Sequence, residues 1–149
     1  MKFEAEFDGH CVQSIIRYLS WEYSLDTYPP ILEVDFDLAL NMLNLTVVDQ
    51  YIVQIWGHLG AVKTNLSKLG EPNFRSGKLR VLGEFAEGFS YRINSNNLPV
   101  YFDEYSGWIC IGDQKLEREG IEFIKNCVAF LNNDGSLSSV WLKPIFVDK

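Results

Sequence analysis

The feature that most constrains the fold is a segment near the C-terminal end that predicts a β-hairpin with two apolar faces. Asp134-Gly135 is a strong signal for a tight turn, and it separates the apolar runs 127–131 and 137–142. With this turn, Val128 faces Trp141 on one side of the hairpin and Ala129 faces Val140 on the other. Because both faces are apolar, we expect the hairpin to lie inside a sheet or beneath a helix.

Alternating apolar and polar residues predict further strands. Residues 2–7 alternate and are closed by Asp8-Gly9, and residues 31–38 place Leu32 and Val34 on the same face as two further apolar side chains. Two more hairpins are predicted, one from residues 78–85 and 89–93 around a turn at 86–88, the other from residues 100–103 and 108–111. Residues 38–45 fit either a strand or a short helix.

Two segments follow the spacing of a helix instead. Residues 10–20 predict an amphipathic helix, and residues 47–69 predict a long one that ends before Gly70 and Pro72. The apolar positions of the long segment advance by three and four, and they are Val48, Tyr51, Ile52, Ile55, Leu59, Val62, Leu66 and Leu69.

Together these elements predict one α+β domain over residues 1–149. Its mainly antiparallel sheet is built from hairpins, and the N-terminal and central helices pack on one face. Trp56, Trp108 and Trp141 lie in periodic elements and are expected in the core. A composition with 47% hydrophobic and 14% aromatic residues excludes a disordered chain.

The charge of the chain is unevenly distributed. Residues 1–62 hold nine carboxylates and two cations, whereas residues 63–149 hold eleven of each, so the formal net charge of −7 belongs to the first part. Such an acidic chain repels phosphate, which argues against a nucleic-acid partner. A segregated negative charge favours association with a cationic protein.

The acidic segments contain the candidate binding residues. Three carboxylates alternate along residues 33–37, and a second group combines aromatic rings with carboxylates, as binding hot spots for basic proteins do. The candidate partner-binding residues are Trp21, Glu22, Tyr23, Asp26, Tyr28, Glu33, Asp35 and Asp37. A solvated strand face and a buried Trp21 are the structural alternatives for these two groups.

Motifs for catalysis or cofactor binding are absent from the sequence. No phosphate-binding glycine loop, zinc-binding HExxH or GxSxG nucleophile motif occurs, so we expect no catalytic residue, cofactor or metal. Cys11, Cys110 and Cys127 are widely spaced, which fits buried thiols in a reducing compartment. A Cys–His pair assembled by the fold, or a pocket that includes Cys110, Cys127 or His58, remains open.

The C-terminal block resembles the immunity proteins with which bacteria neutralise cognate toxins. The resemblance lies in Phe102-Asp103, in Ser106-Gly107-Trp108-Ile109-Cys110-Ile111-Gly112, and in the segments 127–130 and 140–144. It implies an inhibitor that occludes a toxin domain and performs no chemistry, and it assigns no binding residue.

Three functions are therefore considered. The first is a non-catalytic immunity protein that binds a basic toxin domain through its acidic face. The second is a small-ligand-binding domain or enzyme with a pocket between the sheet and the long helix, and the third is a homo-oligomeric subunit, with the oligomeric state left open. Early carboxylates predict no secretory leader, and no apolar run predicts a membrane span, so a cytoplasmic location is expected.

Overall fold

The computed structural model describes residues 1–7 and 9–149. Its regular secondary structure is almost entirely β, with 49% of residues in strands and 2% in helical turns. In chain order the strands are β1 (Lys2–Glu6), β2 (Ile15–Leu19), β3 (Ser24–Tyr28), β4 (Phe36–Leu40), β5 (Leu43–Val48), β6 (Tyr51–His58), β7 (Phe74–Ser76), β8 (Lys78–Leu82), β9 (Ser90–Arg92), β10 (Val100–Phe102), β11 (Ile109–Gly112), β12 (Gly120–Ile124), β13 (Cys127–Leu131), β14 (Leu137–Leu142) and β15 (Ile145–Val147). A 3₁₀ turn spans Val62–Thr64. No helix among the described residues has the length and apolar character needed to cross a membrane.

The strands form two sheets. The first sheet has nine strands, seven of them in the order β15-β2-β3-β6-β5-β4-β9, while β8 pairs with both β6 and β1. The second sheet has six strands in the order β10-β11-β14-β13-β12-β7. Most neighbours are antiparallel, but β15 with β2, β9 with β4 and β7 with β12 are parallel. Both sheets are therefore mixed.

One main core joins the two sheets. Side chains of the first sheet, such as Leu38 and Leu45, belong to the same buried cluster as Ile111, Phe123 and Leu142 of the second. The other face of the second sheet is also covered. There Trp108, Cys110, Val128, Phe130 and Trp141 pack with Leu69 from the chain before β7 and with Leu116 from the β11–β12 connection.

The predicted C-terminal hairpin is confirmed in its register. Val128 pairs with Trp141 and Ala129 with Val140, and the hairpin lies inside the second sheet between β11 and β12. The hairpin of β10 and β11 is confirmed as well. The first predicted strand corresponds to β1, but Asp8, predicted to close it, lies outside the described residues.

The predicted α+β fold is wrong, and the long central helix over residues 47–69 does not form. Its residues instead belong to β5, β6 and the 3₁₀ turn. A β-bulge explains the misleading spacing, because the register shifts between Thr46 and Val47 and leaves one extra residue on β6. Ile52 and Ile55 can therefore both face the core although they are three positions apart.

The predicted N-terminal helix over residues 10–20 is also wrong. β2 occupies the second half of the segment, where Ile16 and Tyr18 alternate into the core while Ile15 stays 47% exposed. The β-branched pair Ile15-Ile16 favours a strand, since these side chains pack well on a pleated surface. Before it, Val12 forms an isolated bridge with Ile124 of the second sheet.

Three smaller expectations also need correction. β8 and β9 do not form a hairpin, because β8 pairs with β1 and β9 pairs with β4. The strand expected over residues 31–38 begins only at Phe36, which leaves Leu32 90% exposed. Trp56, which was expected in the core, is 40% exposed, unlike the buried Trp108 and Trp141. Residues 38–45, which fitted either a strand or a short helix, lie in the β4–β5 hairpin.

Candidate functional site

Three of the sequence-predicted binding residues share the outer face of the first sheet, away from the core. Leu25, Thr27 and Leu38 point inward, so Asp26, Tyr28 and Asp37, which alternate with them, face outward. The structure therefore brings part of the predicted set onto one face, although that face differs in chemical character from place to place.

Asp26 is already neutralised within the chain. Arg17, its partner across the β2–β3 pair, donates two hydrogen bonds to its carboxylate at 2.8 and 2.7 Å. The guanidinium also lies 5.1 Å from the centre of the Tyr28 ring. Because the Arg17 guanidinium neutralises the Asp26 carboxylate, Asp26 adds little to the attraction of a cationic partner.

Asp37 has a structural role. It accepts a hydrogen bond from the hydroxyl of Thr46 at 3.0 Å, and this hydroxyl accepts hydrogen bonds from Gln54 and from the Trp56 indole. The Gln54 side chain in turn accepts the backbone N–H of Ile31. The network therefore holds the chain between β3 and β4 against the sheet.

The predicted group of aromatic rings and carboxylates around Trp21 and Tyr23 lies at the opposite end of β6 from Asp35. Trp21, Glu22 and Tyr23 are exposed in the turn between β2 and β3, where Ser24 pairs with His58 at the end of β6. Asp35 lies near the start of β6, beside the β5–β6 turn. Because the eight residues of β6 separate the two places by about 23 Å, the structure does not join Trp21 and Tyr23 to Asp35.

Asp35 instead lies in a cavity with three carboxylates that the sequence did not single out. The cavity has a volume of about 430 Å³, and Asp35, Asp49, Glu84 and Glu87 line it together with Phe36, Gln50, Val81, Gly83 and Phe85. We refer to it by its four carboxylates as the acidic cleft. Its lining combines these carboxylates with the apolar side chains of Phe36, Val81 and Phe85.

The β5–β6 turn and the β8–β9 connection build the acidic cleft around Asp35. The backbone N–H of Asp49 donates to the Asp35 carboxylate at 2.8 Å, and the N–H of Gly88 donates to the Asp35 carbonyl at 2.8 Å. Asp49 and Gln50 both have positive φ, as the central residues of a two-residue hairpin turn do. The connection is held by Phe85, whose ring stacks on Phe36.

Among the described residues, the carboxylates of the acidic cleft have no ion-pair partner. Within residues 1–7 and 9–149, no Lys or Arg forms an ion pair with its four carboxylates. Arg80 is close in sequence to the cleft, but it donates to Gln50 and lies 4.0 Å from Glu6. Water screens the repulsion among such charges, so the fold tolerates the cluster while it keeps a negative potential.

Exposed apolar side chains lie beside the acidic cleft. Leu32 is 90% exposed, Val34 directly precedes Asp35 and is 46% exposed, and Phe89 is 64% exposed. The Phe89 carbonyl accepts the N–H of Asp37, which places this ring next to the start of β4. Glu33, one of the predicted residues, is exposed between Leu32 and Val34. Apolar groups concentrated near a charged site are typical of protein-binding surfaces.

Sequence reasoning missed Asp49, Glu84 and Glu87. The last two come from the electrically balanced part of the chain, in the segment Gly83-Glu84-Phe85-Ala86-Glu87-Gly88, which resembled a hairpin turn. Two carboxylates between glycines were the available signal. Only the parallel pairing of β9 with β4 brings this segment to Asp35.

The cysteines lie in environments that disfavour the thiolate. Burial raises the pKa of Cys110 to about 12 and also raises that of Cys127, and burial together with nearby Glu122 raises that of Cys11. His58 is exposed on β6 of the first sheet, whereas Cys110 is fully buried in β11 of the second. The pocket considered between the sheet and the long helix is not formed, because residues 47–69 form strands and a 3₁₀ turn instead of that helix.

The described residues offer no cluster of metal ligands. No group of three or more His, Cys, Asp or Glu residues there is arranged to hold a metal ion. The four carboxylates of the acidic cleft are therefore better suited to attract an extended cationic surface than to coordinate one ion.

No protein-family model, curated protein or solved structure matches the chain.

Proposed function

We propose that the chain is a non-catalytic binding protein that docks a cationic protein domain at the acidic cleft. The observation that carries the proposal is the grouping of Asp35, Asp49, Glu84 and Glu87 around one cavity, without a Lys or Arg paired to them among the described residues. Leu32, Val34 and Phe89 add apolar area at its side. Negative potential speeds the encounter, and apolar contact retains the bound partner.

We further propose that this partner is a toxin domain and that the chain acts as its immunity protein in the cytoplasm. Two observations support this assignment: the acidic cleft suits a basic surface, and the raised pKa values of the three cysteines argue against thiol chemistry. The block that carries the resemblance lies in the buried second sheet, so its role would be to support the fold. An inhibitor that blocks the toxin domain by binding to it would need no catalytic residue of its own.

The test measures association with the toxin domain encoded by the adjacent upstream gene. In stopped-flow experiments at several salt concentrations, we expect the combined variant Asp35→Asn/Glu84→Gln/Glu87→Gln to associate about tenfold more slowly than the original chain, with a weaker salt dependence. The matched control is Glu104→Gln/Glu117→Gln/Asp148→Asn, which neutralises three exposed carboxylates outside the acidic cleft.

Two results would contradict these proposals. An unchanged association rate for the triple variant would exclude the acidic cleft as the docking site. An upstream gene without a toxin domain, or a toxin whose activity the chain leaves intact, would contradict the immunity function while leaving other cationic partners to be considered.

A further inference from the structure

The first sheet ends in an open edge at β9. The Phe89 carbonyl accepts the N–H of Asp37 at 3.1 Å, and the N–H of Ile93 donates to the Ala39 carbonyl at 2.8 Å. Because backbone groups alternate sides along a strand, Ser90 and Arg92 direct their N–H and C=O groups away from β4. β9 is the last strand in the sheet order, and both residues are exposed.

Other sheet edges are less available. The edge of β10 is covered by the chain before it, since Phe102 donates to the Asn65 carbonyl at 3.1 Å and accepts the N–H of Ser67 at 2.9 Å. At β15, Ile145 and Val147 pair with β2, and Phe146 between them packs its ring against Tyr18 and Phe102. The first sheet also ends at β1, where the outward N–H of Phe3 donates to the Gly135 carbonyl at 2.8 Å. Of the three ends of the first sheet, β9 is the one whose outward backbone groups belong to exposed residues.

The surroundings of β9 indicate what could bind there. Glu87 of the acidic cleft lies three residues before Ser90, and the exposed Phe89 ring lies between them. Asp35 is joined to the same connection through the N–H of Gly88. An extended segment paired with β9 would thus bring alternate side chains close to uncompensated carboxylates, and lysine or arginine would be favoured at those positions.

Building on the docking function proposed above, we propose that β9 accepts an extended, lysine- or arginine-bearing segment of the partner as an additional strand of the first sheet. The outward N–H and C=O groups of Ser90 and Arg92 set the register of this segment. The acidic cleft attracts its cationic side chains, and Phe89 contacts its apolar ones. Strand addition of this kind takes its affinity from main-chain hydrogen bonds and its selectivity from alternate side chains.

The first test uses the full chain and an eight-residue peptide of alternating lysine and valine, blocked at both ends, with binding measured by calorimetry at low ionic strength. Two further peptides carry N-methyl groups on all lysine amides or on all valine amides. In an added strand, either the lysine N–H groups or the valine N–H groups point toward β9, but not both. We therefore expect one methylated peptide to bind about tenfold more weakly and the other to bind like the unmethylated peptide. Binding by charge alone would affect both equally.

The second test changes the edge itself. Ser90→Pro removes an outward N–H and leaves the hydrogen bonds between β9 and β4 in place, so the sheet should tolerate it. We expect about tenfold weaker peptide binding, whereas the control Ser95→Ala should bind like the original chain. In the original chain, bound peptide should slow amide hydrogen exchange at Ser90 and Arg92, and this readout requires no variant.

The outcomes separate the two proposals. If the acidic-cleft variant weakens peptide binding but the methylated peptides bind alike, strand addition is wrong and docking by charge stands. If the unmethylated peptide does not bind, strand addition is wrong, and the toxin-domain kinetics decide the docking function independently. If light scattering shows a dimer that Ser90→Pro dissociates, the edge is occupied by a second copy of the chain and the proposal is overturned.

Discussion

At the scale of single residues, carboxylates of similar appearance in the sequence have different roles because their neighbours differ. Asp26 is paired with Arg17, Asp37 accepts the Thr46 hydroxyl, and Asp35 lines the acidic cleft. Asp103, in the second part of the chain, is held inside the fold. Its carboxylate accepts backbone N–H groups of Leu69, Tyr105 and others, and it is only 5% exposed. Position in the fold, more than residue type, determines which charges remain available to a partner.

Asp103 leads to a prediction about acid stability. The Leu69 N–H, followed by those of Ser106 and Tyr105, lowers the pKa of Asp103 below its usual value of 3.8. The unfolded chain therefore takes up this proton first as the pH falls. The stabilisation is present above pH 3.8 and is lost as the pH falls through the lowered pKa.

We therefore expect Asp103→Asn to reduce the free energy of unfolding most at neutral pH, with a difference from the original chain that shrinks below the usual carboxyl pKa. Urea unfolding at pH values from 7 to 3 measures this difference. The control Glu104→Gln changes the exposed neighbouring carboxylate and should unfold like the original chain. A stability difference that does not change with pH would show that the charge of Asp103 is not the cause.

At the scale of elements, a side chain bridges β3 and β6 where their regular pairing ends. The pairs of this ladder are Ser24 with His58 and Leu25 with Gly57. Beyond them, the Thr27 hydroxyl donates to the Ile55 carbonyl at 2.7 Å and accepts the Ile55 N–H at 3.3 Å. Thr27 thus satisfies two backbone groups that would otherwise be buried without partners.

Replacing Thr27 with the isosteric valine should therefore destabilise the chain by about 1–3 kcal/mol, since the polar groups of Ile55 lose their partner in a buried position. Urea unfolding measures the change. Thr64→Val is the control, because the Thr64 hydroxyl donates to the Ala61 carbonyl at an exposed site, and its effect should stay within about 0.5 kcal/mol. Equal effects of the two variants would contradict the bridging role of Thr27.

At the scale of the whole molecule, the two sheets share a core, and neither buries its inner face alone. Phe3 and Leu79 of the first sheet belong to the same cluster as Ile121 of the second. Between them Gly77 leaves no room for a side chain, because an added Cβ would clash with the Glu6 carbonyl and with Ile121. Separation of the sheets would expose the inner face of both.

Unfolding should accordingly be a single cooperative transition, as expected of the one domain predicted over residues 1–149. In a Trp21→Phe/Trp56→Phe variant, fluorescence reports on the buried Trp108 and Trp141 of the second sheet, whereas far-UV circular dichroism reports on both sheets. We expect the two urea midpoints to coincide. Separate midpoints would show that the sheets unfold independently.

Local signals account for the parts of the fold that were predicted correctly. The pairs Val128 with Trp141 and Ala129 with Val140 could be predicted because Asp134-Gly135 indicates a turn between two apolar runs. The turn itself is longer than a two-residue one, since the register shifts between Phe130 and Leu131 and the Asn132 N–H donates to the Ser136 carbonyl. The strands within residues 47–69 could not be predicted, because a bulge on β6 produces the same three-residue spacing as a helix. Asp35 was identified as a candidate from its acidic neighbours, but Glu84 and Glu87 reach it only through the non-local pairing of β9 with β4.

The sequence by itself determined the β10–β11 hairpin, the apolar C-terminal hairpin and the excess of acid in residues 1–62, because these depend on neighbouring residues or on composition. Only the tertiary structure decided that the chain is almost entirely β, that Asp26 and Asp37 are engaged internally, and that Asp35 joins Asp49, Glu84 and Glu87. Strand pairing between distant segments sets these outcomes, and its energy depends on how whole faces pack together, which no local periodicity encodes.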